Sequence, residues 1–562
     1  MAWGLERIRR RLGLAWLTLR NPAPDGNARL VRIAAGLLVL VGLWLRCRGV
    51  LWDEVALDLD EASWARQLVM KPLRDLLIRP PGYMAITLLL VHVFGAWELV
   101  LRSLSWASGL LVLFAAPVLA ARILVSPMAR LFFVALIALH PAAIDLSKEF
   151  KPYAVSLALH FSFVLAAASY GVSGNRRALL AALGLAPVSI LFAQDALFAF
   201  PGLFLALAWD AYRKRYPRHL IAVVAGAAAA LASVLSVYFW IWRRLQVGQG
   251  GEETAFWADK YGVFFVPGRV EGQTLGGWVL ERWFGMAGFP GQRRSIWAHE
   301  RWQEQLATLS TVDAWLWVAL FVAGVATMVL RRRLRMALLV VLPLLVMTAF
   351  NVMGFWPLGV FRSNAFILVY TGVAAAFAID ELGRRTRAAT TALAPALAFV
   401  ILPFVSFETT FHGTKRVFSE TSAFPRALRE ALALPEASSG PKPEVLLLDA
   451  RTCSSFRFYT NNHPGTAPYL PPGFHERFRQ QCADMPPVKL QRLVQEQGKR
   501  GRRVWMILGA ASSFERYRDE VPPGIRLVHR IPVSIAGSLT NLVLVLESED
   551  APAHRTARSA AP

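Results

Sequence analysis

Long apolar runs separated by short polar connections dominate the chain from about residue 33 to residue 407. Most of them approach the ~20 apolar residues that a helix needs to cross a bilayer. They therefore predict membrane-spanning helices, with boundaries good to roughly 2–4 residues. The predicted segments lie at about 33–51, 82–97, 99–121, 129–146, 153–171, 178–193, 195–212, 219–241, 311–330, 336–352, 364–380 and 389–407.

The polar stretches divide the chain into regions. Two long polar loops, 52–81 and 242–310, interrupt the apolar segments. The tail from 408 to 548 alternates strand and helix patterns and predicts a small α/β domain. Residues 549–562 are rich in Ala, Pro and Arg, and we expect them to be disordered.

Within the tail, short apolar runs predict strands and longer periodic runs predict helices. The predicted strands are 444–449, 503–508 and 540–547, and the predicted helices are 422–434 and 486–499. The fold class is therefore mainly α: a polytopic α-helical membrane protein with a small C-terminal extracytoplasmic α/β domain.

The amino-acid composition narrows the class of protein further. Of the 562 residues 55% are hydrophobic and 18% charged, and the mean hydropathy is +0.41. Soluble domains carry roughly 25% charged residues, and their single cores stop growing near ~250–300 residues. A water-soluble enzyme and a disordered chain are both disfavoured. The net charge of +23 does not indicate nucleic acid, because the basic residues lie in short clusters between apolar runs.

Basic clusters also predict the orientation, since loops rich in Lys and Arg face the cytoplasm. The basic residues 1–32 and Arg331–Arg333 are then cytoplasmic, and 408–562 lies outside, in an inner or plasma membrane. Twelve full crossings would place the tail inside. Either one segment does not cross fully or an extra span is hidden, so the chain has 11 or 13 spans. The weakest segment is 82–97, which follows Pro80-Pro81 and contains His92, and we expect it to be re-entrant, interfacial or paired with a broken neighbour.

The cysteines offer a test of that orientation. Cys47 lies in an apolar segment, whereas Cys453 and Cys482 share the tail. In an oxidising compartment the two tail cysteines could form a disulfide. The alternative is two unpaired thiols in a cytoplasmic tail.

The first external loop carries the densest group of acids, with the sequence L-D-L-D-E-A-S-W-A-R-Q-L at 57–68. Asp60 precedes a run with helical spacing, so a helix cap is one interpretation. A solvated acidic face is another. Acids near membrane depth, Asp145 and Asp195 with Gln194, fall at segment ends and indicate caps or turns more than proton coupling.

Further motifs follow this loop in a fixed order. They are K-P-L-R-D-L-L-I-R-P-P-G-Y at 71–83, V-F-G-A-W-E-L-V-L-R-S-L-S at 93–105, and H-P-A-A-I-D-L-S-K-E-F-K-P-Y-A at 140–154. Together they resemble the polyprenyl-phosphate-sugar-dependent integral membrane glycosyltransferases of the GT-C fold. The resemblance is to the protein O-mannosyltransferase-like proteins and the lipid A aminoarabinose transferases. It covers about 30–210 and continues weakly through W-P-L-G-V-F-R at 356–362.

Two departures from the family pattern keep the positive charge but change the geometry of the hydrogen-bond donors. Arg79 stands where many members carry Lys or His before Pro-Pro. Lys148 and Lys151 stand where Arg is commoner.

The resemblance implies transfer of a sugar from a polyprenyl-phosphate carrier to an acceptor hydroxyl outside the cytoplasm, with inversion. Such a hydroxyl needs a carboxylate base, and the leaving phosphate needs positive charge. By match to the family's acid pair Asp60 is the base, with Asp58 the second choice, and Glu61 is its partner or a metal ligand. Arg79 is the first phosphate contact, with Lys151 and Arg362 behind it; the alternative for all three cations is snorkelling at the interface.

The resemblance also implies roles for Glu149 and Trp257 and a class of acceptor. Glu149 either forms an ion pair with its flanking lysines, or orients the acceptor, or joins Glu61 on a divalent cation such as Mg²⁺, Mn²⁺ or Ca²⁺. Trp257 in the loop 242–310 is the tryptophan expected to contact substrate, while other tryptophans there anchor at the interface. The acceptor is a cell-envelope glycan, a lipid such as lipid A, or a protein.

Two other functions remain open from sequence. A transporter or flippase of lipid-linked sugars would show two related halves, and none is visible. An O-antigen-ligase-like polymerase would carry its long functional loop late in the chain rather than after the first span.

Overall fold

The computed structural model describes part of the chain in atomic detail. These residues are 27–48, 50–51, 57, 59–70, 79–239, 264–265, 273–287, 300–358, 362–385, 427–428, 430–431, 433–434, 444–448, 458, 478–482, 487–500, 502–508, 521–535 and 538–549.

Helices make up most of the described chain. In chain order they are α1 (Asn27–Cys47), α2 (Leu59–Met70), α3 (Pro81–Phe94), α4 (Glu98–Ile123), α5 (Pro127–Leu139), α6 (Pro141–Leu146), α7 (Tyr153–Ser173), α8 (Arg176–Ser189), α9 (Ala199–Arg213), α10 (Pro217–Val237), α11 (Leu275–Ala287), α12 (Glu300–Leu330), α13 (Leu334–Val352), α14 (Ile367–Arg385) and α15 (Pro487–Gly498). Two 3₁₀ turns, Gln194–Phe198 and Arg362–Asn364, precede α9 and α14.

Helices fill the predicted apolar segments from 33–51 to 364–380. Among the described residues, four helices are long and apolar enough to cross a membrane: α4, α7, α10 and α13. This places the protein in a membrane. The segment 389–407 lies outside the described residues.

The prediction of one continuous helix over 129–146 was wrong. The segment is broken into α5 and α6 at His140, whose backbone is extended (φ −61°, ψ 118°). Pro141 causes the break, because proline lacks an N–H and its ring disfavours helical geometry in the residue before it.

The short helix α3 has 14 residues, so its length is about 21 Å, less than the ~30 Å of a hydrocarbon core. Its first turn packs beside α4, where the Tyr83 hydroxyl lies 3.1 Å from Ser105 Oγ. The helices α5 and α8 are similarly short, so whether 82–97 crosses fully stays a prediction.

The chain divides into two compact units. The larger unit comprises Met1–Arg48, Arg74–Ile86 and Ser103–Phe411, and the smaller comprises Gly49–Leu73, Thr87–Arg102 and His412–Pro562. In the larger unit α5 packs against α1 and α14, α9 packs against α13 and α10, and α12 packs against α14. Small residues allow close approach: a Cβ on Gly324 of α12 would lie 1.9 Å from the Ala374 carbonyl oxygen of α14.

The smaller unit contains a five-stranded sheet. Its strands are β1 (Glu444–Leu448), β2 (Phe478–Cys482), β3 (Val504–Leu508), β4 (Ile525–Ile535) and β5 (Ser538–Ser548), in the order β2-β1-β3-β5-β4. β1 pairs parallel with β2 and β3, and β5 pairs antiparallel with β3 and β4. The pleat aims alternate residues of β1, β3 and β5 at α15, where Leu490 and Val494 complete an apolar core.

The three predicted strands and the helix predicted at 486–499 are present. β2 (F-R-Q-Q-C) and β4 were not predicted: β2 is polar, and β4 contains Pro532 although its apolar and polar residues alternate along most of its length. Pro532 is tolerated because β4 is an edge strand, where a missing ladder N–H costs little. Most of the helix predicted at 422–434, and residues 550–562, lie outside the described part.

Candidate functional site

Five consecutive residues of the larger unit bury an unusual amount of charge. Residues 147–151, here called the strap, connect α6 to the start of α7. Lys148, Glu149 and Lys151 are only 1%, 4% and 5% exposed, and Ser147 is fully buried. Lysine and glutamate are almost never buried unless they are paired, so such a cluster marks a functional-site candidate.

Neighbouring helices hold the strap in place. The Ser105 hydroxyl of α4 donates to the Lys151 carbonyl at 2.6 Å, and Tyr83 of α3 in turn contacts Ser105. The Tyr83 ring stacks on Phe150 with centroids 5.9 Å apart. These contacts bring the R-P-P-G-Y motif and the S-K-E-F-K motif together.

A buried arginine that sequence analysis did not single out lies beside the strap. Arg46 at the end of α1 donates to the carbonyl oxygens of Ile137 (2.8 Å) and Ala138 (3.0 Å), the last turn of α5. A cation is favourable there because unpaired carbonyls carry the negative end of the helix dipole. Arg46 and Lys148 both interact electrostatically with Cys47. Arg46 and Arg48 within the apolar segment 33–51 were the available signal.

Several helix N-termini meet near the strap. The N–H of Gly82, in the first turn of α3, donates to the Leu191 carbonyl at 2.7 Å. Ser156, in the first turn of α7, donates to the Asp195 carboxylate in the turn before α9. Phe366, which precedes α14, stacks on His160 of α7 at 4.4 Å. Because helix N-termini carry partial positive charge, α3, α7, α9 and α14 each bring a positive pole to this end of the larger unit, here called the site end.

The loop before α14 is fixed at the same end. The Trp356 indole donates to Asn364 Oδ1 at 2.8 Å, and Asn364 Nδ2 donates to the Pro357 carbonyl at 2.9 Å. The Trp356 ring packs edge-on against Phe198 at 5.2 Å. Arg362 begins the 3₁₀ turn that ends at Asn364, so its backbone belongs to the site end, while its side chain is outside the described part.

Arg79 lies two residues before α3 and is partly buried. The structure therefore brings Arg79, Glu149 and Lys151, together with the Arg362 backbone, to one end of the larger unit. Electrostatically the lysines, Arg79 and the helix N-termini contribute positive potential there, against the carboxylates of Asp145, Glu149 and Asp195.

The acid pair of the first loop belongs to the smaller unit. α2 begins at Leu59, so Asp60 lies in its first turn rather than before it, and the Asp60 side chain is outside the described part. Glu61 is buried and forms a bidentate ion pair with Arg102: Nε donates to Oε1 at 2.9 Å and Nη2 to Oε2 at 2.6 Å. Arg102 lies in the motif at 93–105, and its role as the partner of Glu61 was not predicted from the sequence.

This ion pair changes the interpretation of Glu61. Both carboxylate oxygens face a guanidinium, an arrangement that fixes α2 and suits a metal ligand poorly. Within the described residues no three His, Cys, Asp or Glu side chains gather as a metal site would require. A divalent cation on Glu61 and Glu149 thus stays a prediction without support from geometry. Asp58, Trp257 and Cys453 lie outside the described residues.

The opposite end of the larger unit is built differently. Arg335 pairs with Asp210 at 2.7 Å, Arg384 with Asp380 at 2.7 Å, and Arg331 with Glu381 at 2.8 Å. Lys214 donates to the carbonyl oxygens of Tyr170 and Gly171 at the end of α7. Partial burial lowers the pKa of the Lys214 ammonium, and the nearby Asp210 carboxylate opposes that shift.

These features define a helical membrane protein whose larger unit holds a candidate site of buried charged side chains at one end. The chain is similar to the crystal structure of ArnT from Cupriavidus metallidurans in the apo state, with 14% identity, 91% of this chain and 97% of that chain covered, and a TM-score of 0.46. It is also similar to ArnT from the same organism bound to undecaprenyl phosphate, with 13% identity, the same coverage and a TM-score of 0.45.

No protein-family model and no curated protein matches the chain.

Proposed function

We propose that the protein is a membrane glycosyltransferase that moves a sugar from a polyprenyl-phosphate carrier to a hydroxyl of an acceptor outside the cytoplasm. The observation that carries this proposal is the cationic strap, buried among the N-termini of apolar helices. The two parts of the donor, a phosphate and a long apolar chain, complement the cations and the apolar helices of this site.

The phosphate is the leaving group of the reaction. Lys151 and Arg79 supply charge-assisted donors, and the helix N-termini supply backbone N–H groups, where negative charge develops as the bond to the sugar breaks. Donors fixed in a site of low dielectric stabilise such charge far better than water does. Lys148 adds to the same positive potential from a fully buried position.

Asp60 is the proposed base. The acceptor oxygen forms a bond to the anomeric carbon as its proton passes to the Asp60 carboxylate, and the electrons of the breaking carbon–oxygen bond leave with the phosphate. A single displacement of this kind inverts the anomeric configuration. Support for Asp60 comes from its motif and from its place in the first turn of α2, which the Glu61–Arg102 pair fixes.

The proposed orientation follows from the basic clusters. The opposite end, with Arg331 and Arg384, faces the cytoplasm, and the site end and the tail face outward. Sugars carried on polyprenyl phosphate would then reach acceptors of the cell envelope.

Donor binding is the direct test. Undecaprenyl phosphate is added to the purified protein in lipid nanodiscs, and its Kd is measured by native mass spectrometry. We expect Lys151→Ala and Arg79→Ala each to raise Kd by about tenfold or more, since a hydrogen bond to a charged group contributes ~1.5–3 kcal/mol. Asp60→Asn should leave Kd within a small factor of wild type.

The matched control is Arg331→Ala, which removes the same charge from the opposite end of the unit. It should bind undecaprenyl phosphate as wild type does. If both Lys151→Ala and Arg79→Ala bind like wild type, the phosphate site is not at the strap, and if wild type itself does not bind, the proposed function fails. Retention of the anomeric configuration in the product, measured by NMR, would exclude the single displacement.

A further inference from the structure

Asp195 is a buried carboxylate that the proposed reaction does not use. It lies in the 3₁₀ turn before α9 and is 5% exposed. It accepts a hydrogen bond from the Ser156 hydroxyl, and it also faces the backbone N–H groups of Asp195 and Ala196. Within the described chain these partners are a hydroxyl and backbone amides rather than a cation.

Burying a carboxylate on such partners is costly, since ionised groups lose strong hydration. A well-packed apolar pair would stabilise a helix bundle equally well or better. What such a hydrogen bond adds is a defined geometry between the two elements that it joins. The two elements here are the start of α7 and the turn that leads into α9.

The start of α7 is continuous with the strap. Ser156 lies in its first turn, where its N–H donates to the Pro152 carbonyl at 2.8 Å, and Lys151 immediately precedes Pro152. On its other side the Lys151 carbonyl is held by Ser105. The segment that carries the Lys151 ammonium is therefore fixed from two directions.

We propose that Asp195, acting through Ser156, is a positioning residue for the donor site: it fixes the first turn of α7 and with it the Lys151 ammonium. This inference rests on the proposed function. It assigns a role to two residues that do not themselves contact the donor.

A double-mutant cycle on donor affinity separates positioning from general stability. The Kd of undecaprenyl phosphate is measured for Ser156→Ala, Lys151→Ala and the double variant. We expect Ser156→Ala to weaken binding by about fivefold and Lys151→Ala by about tenfold, with the double variant no weaker than Lys151→Ala, because residues acting as one unit are not additive. Independent effects would multiply to about fiftyfold.

Conservative variants that keep the Ser156–Asp195 hydrogen bond should keep the affinity for undecaprenyl phosphate. Asp195→Asn keeps an oxygen that accepts from Ser156, and Ser156→Thr keeps the hydroxyl, so both should bind undecaprenyl phosphate within about twofold of wild type. Asp195→Ala should match Ser156→Ala. The control is Asp210→Asn, which weakens a partly buried ion pair at the other end of α9 and should lower Tm without changing Kd.

The outcomes are distinguishable. Multiplicative effects, a Ser156→Ala affinity equal to wild type, or a Lys151→Ala affinity equal to wild type each overturn the positioning role. Absence of binding by the wild-type protein refutes the proposed function, and this inference with it. If Ser156→Ala does not fold, Asp195→Ala paired with Lys151→Ala gives the same cycle.

Discussion

The two ends of the larger unit differ in how far their cations are exposed. At the site end the charged side chains of the strap are buried. At the opposite end the cations are partly exposed, with side-chain accessibilities of 49% for Arg331, 29% for Arg384 and 25% for Arg335. Both ends use cations to cap helices, Arg46 at the site end and Lys214 at the opposite end.

The difference separates folding from function. Partly exposed ion pairs contribute little to stability, and their surplus of positive charge is what orients loops toward the cytoplasm. Buried charge is costly, so it is retained where a site needs strong electrostatics. The comparison therefore predicts that equivalent substitutions have large effects at one end and small effects at the other.

The largest effect is expected for Asp60→Asn. Transfer should fall by about 10³-fold because the base is lost while the shape is kept, within the usual 10²–10⁴-fold contribution of a general base. Single-turnover measurement of sugar transfer checks this. Asp380→Asn is the matched change at the opposite end, and its folded fraction should transfer at the wild-type rate. Near-normal turnover of Asp60→Asn would reject the assignment.

The next effect concerns the buried pair of the smaller unit. Arg102→Met leaves Glu61 buried without its guanidinium and should destabilise by ~3 kcal/mol or more. Adding Glu61→Leu should restore much of the loss, because two apolar residues replace a buried ion pair at little cost. Thermal unfolding in detergent measures both. A Tm for Arg102→Met equal to wild type would show that the pair does not hold α2.

Two helix-capping cations give a sharper contrast. Arg46→Met leaves the buried carbonyls of Ile137 and Ala138 unpaired and should cost ~2 kcal/mol. Lys214→Met removes a similar cap from the partly exposed end of α7 and should cost less than about 1 kcal/mol. Chemical denaturation of both variants tests the order, and equal losses would contradict the distinction between the ends.

The smallest effect is expected for the Arg331–Glu381 pair. Its arginine is half exposed, so Arg331→Ala and Glu381→Ala should give no resolvable change in Tm or in donor affinity. High salt should leave both variants indistinguishable from wild type. A clear loss of donor affinity for either variant would mean that the two ends are coupled.

The tail orientation has an independent measurement. In intact cells, a membrane-impermeant maleimide should label Cys482 only after reduction if the tail is outside and its two cysteines pair. Labelling without reduction rejects the bond but keeps the tail outside. No labelling even after reduction and unfolding rejects the external placement.

The sequence by itself determined the class of fold and most helices, because the length of an apolar run and the periodicity of its neighbours are local properties. It also predicted the apolar strands β1, β3 and β5. It did not predict the polar strand β2 or the break at His140. The structure brings Arg79 and Lys151 to one end of the larger unit, and their role as phosphate contacts stays a prediction.

Tertiary structure alone decided which charges are buried and what they contact. The sequence predicted that Glu61 acts with Asp60 or a metal, but not that Glu61 pairs with Arg102, 41 residues away. Arg46 meets carbonyls 91 and 92 residues further along, and Ser156 meets Asp195 across 39 residues. Hydrophobic patterning specifies which face of a helix is buried, but it cannot specify which distant polar group that face meets, because partner choice depends on how the helices pack.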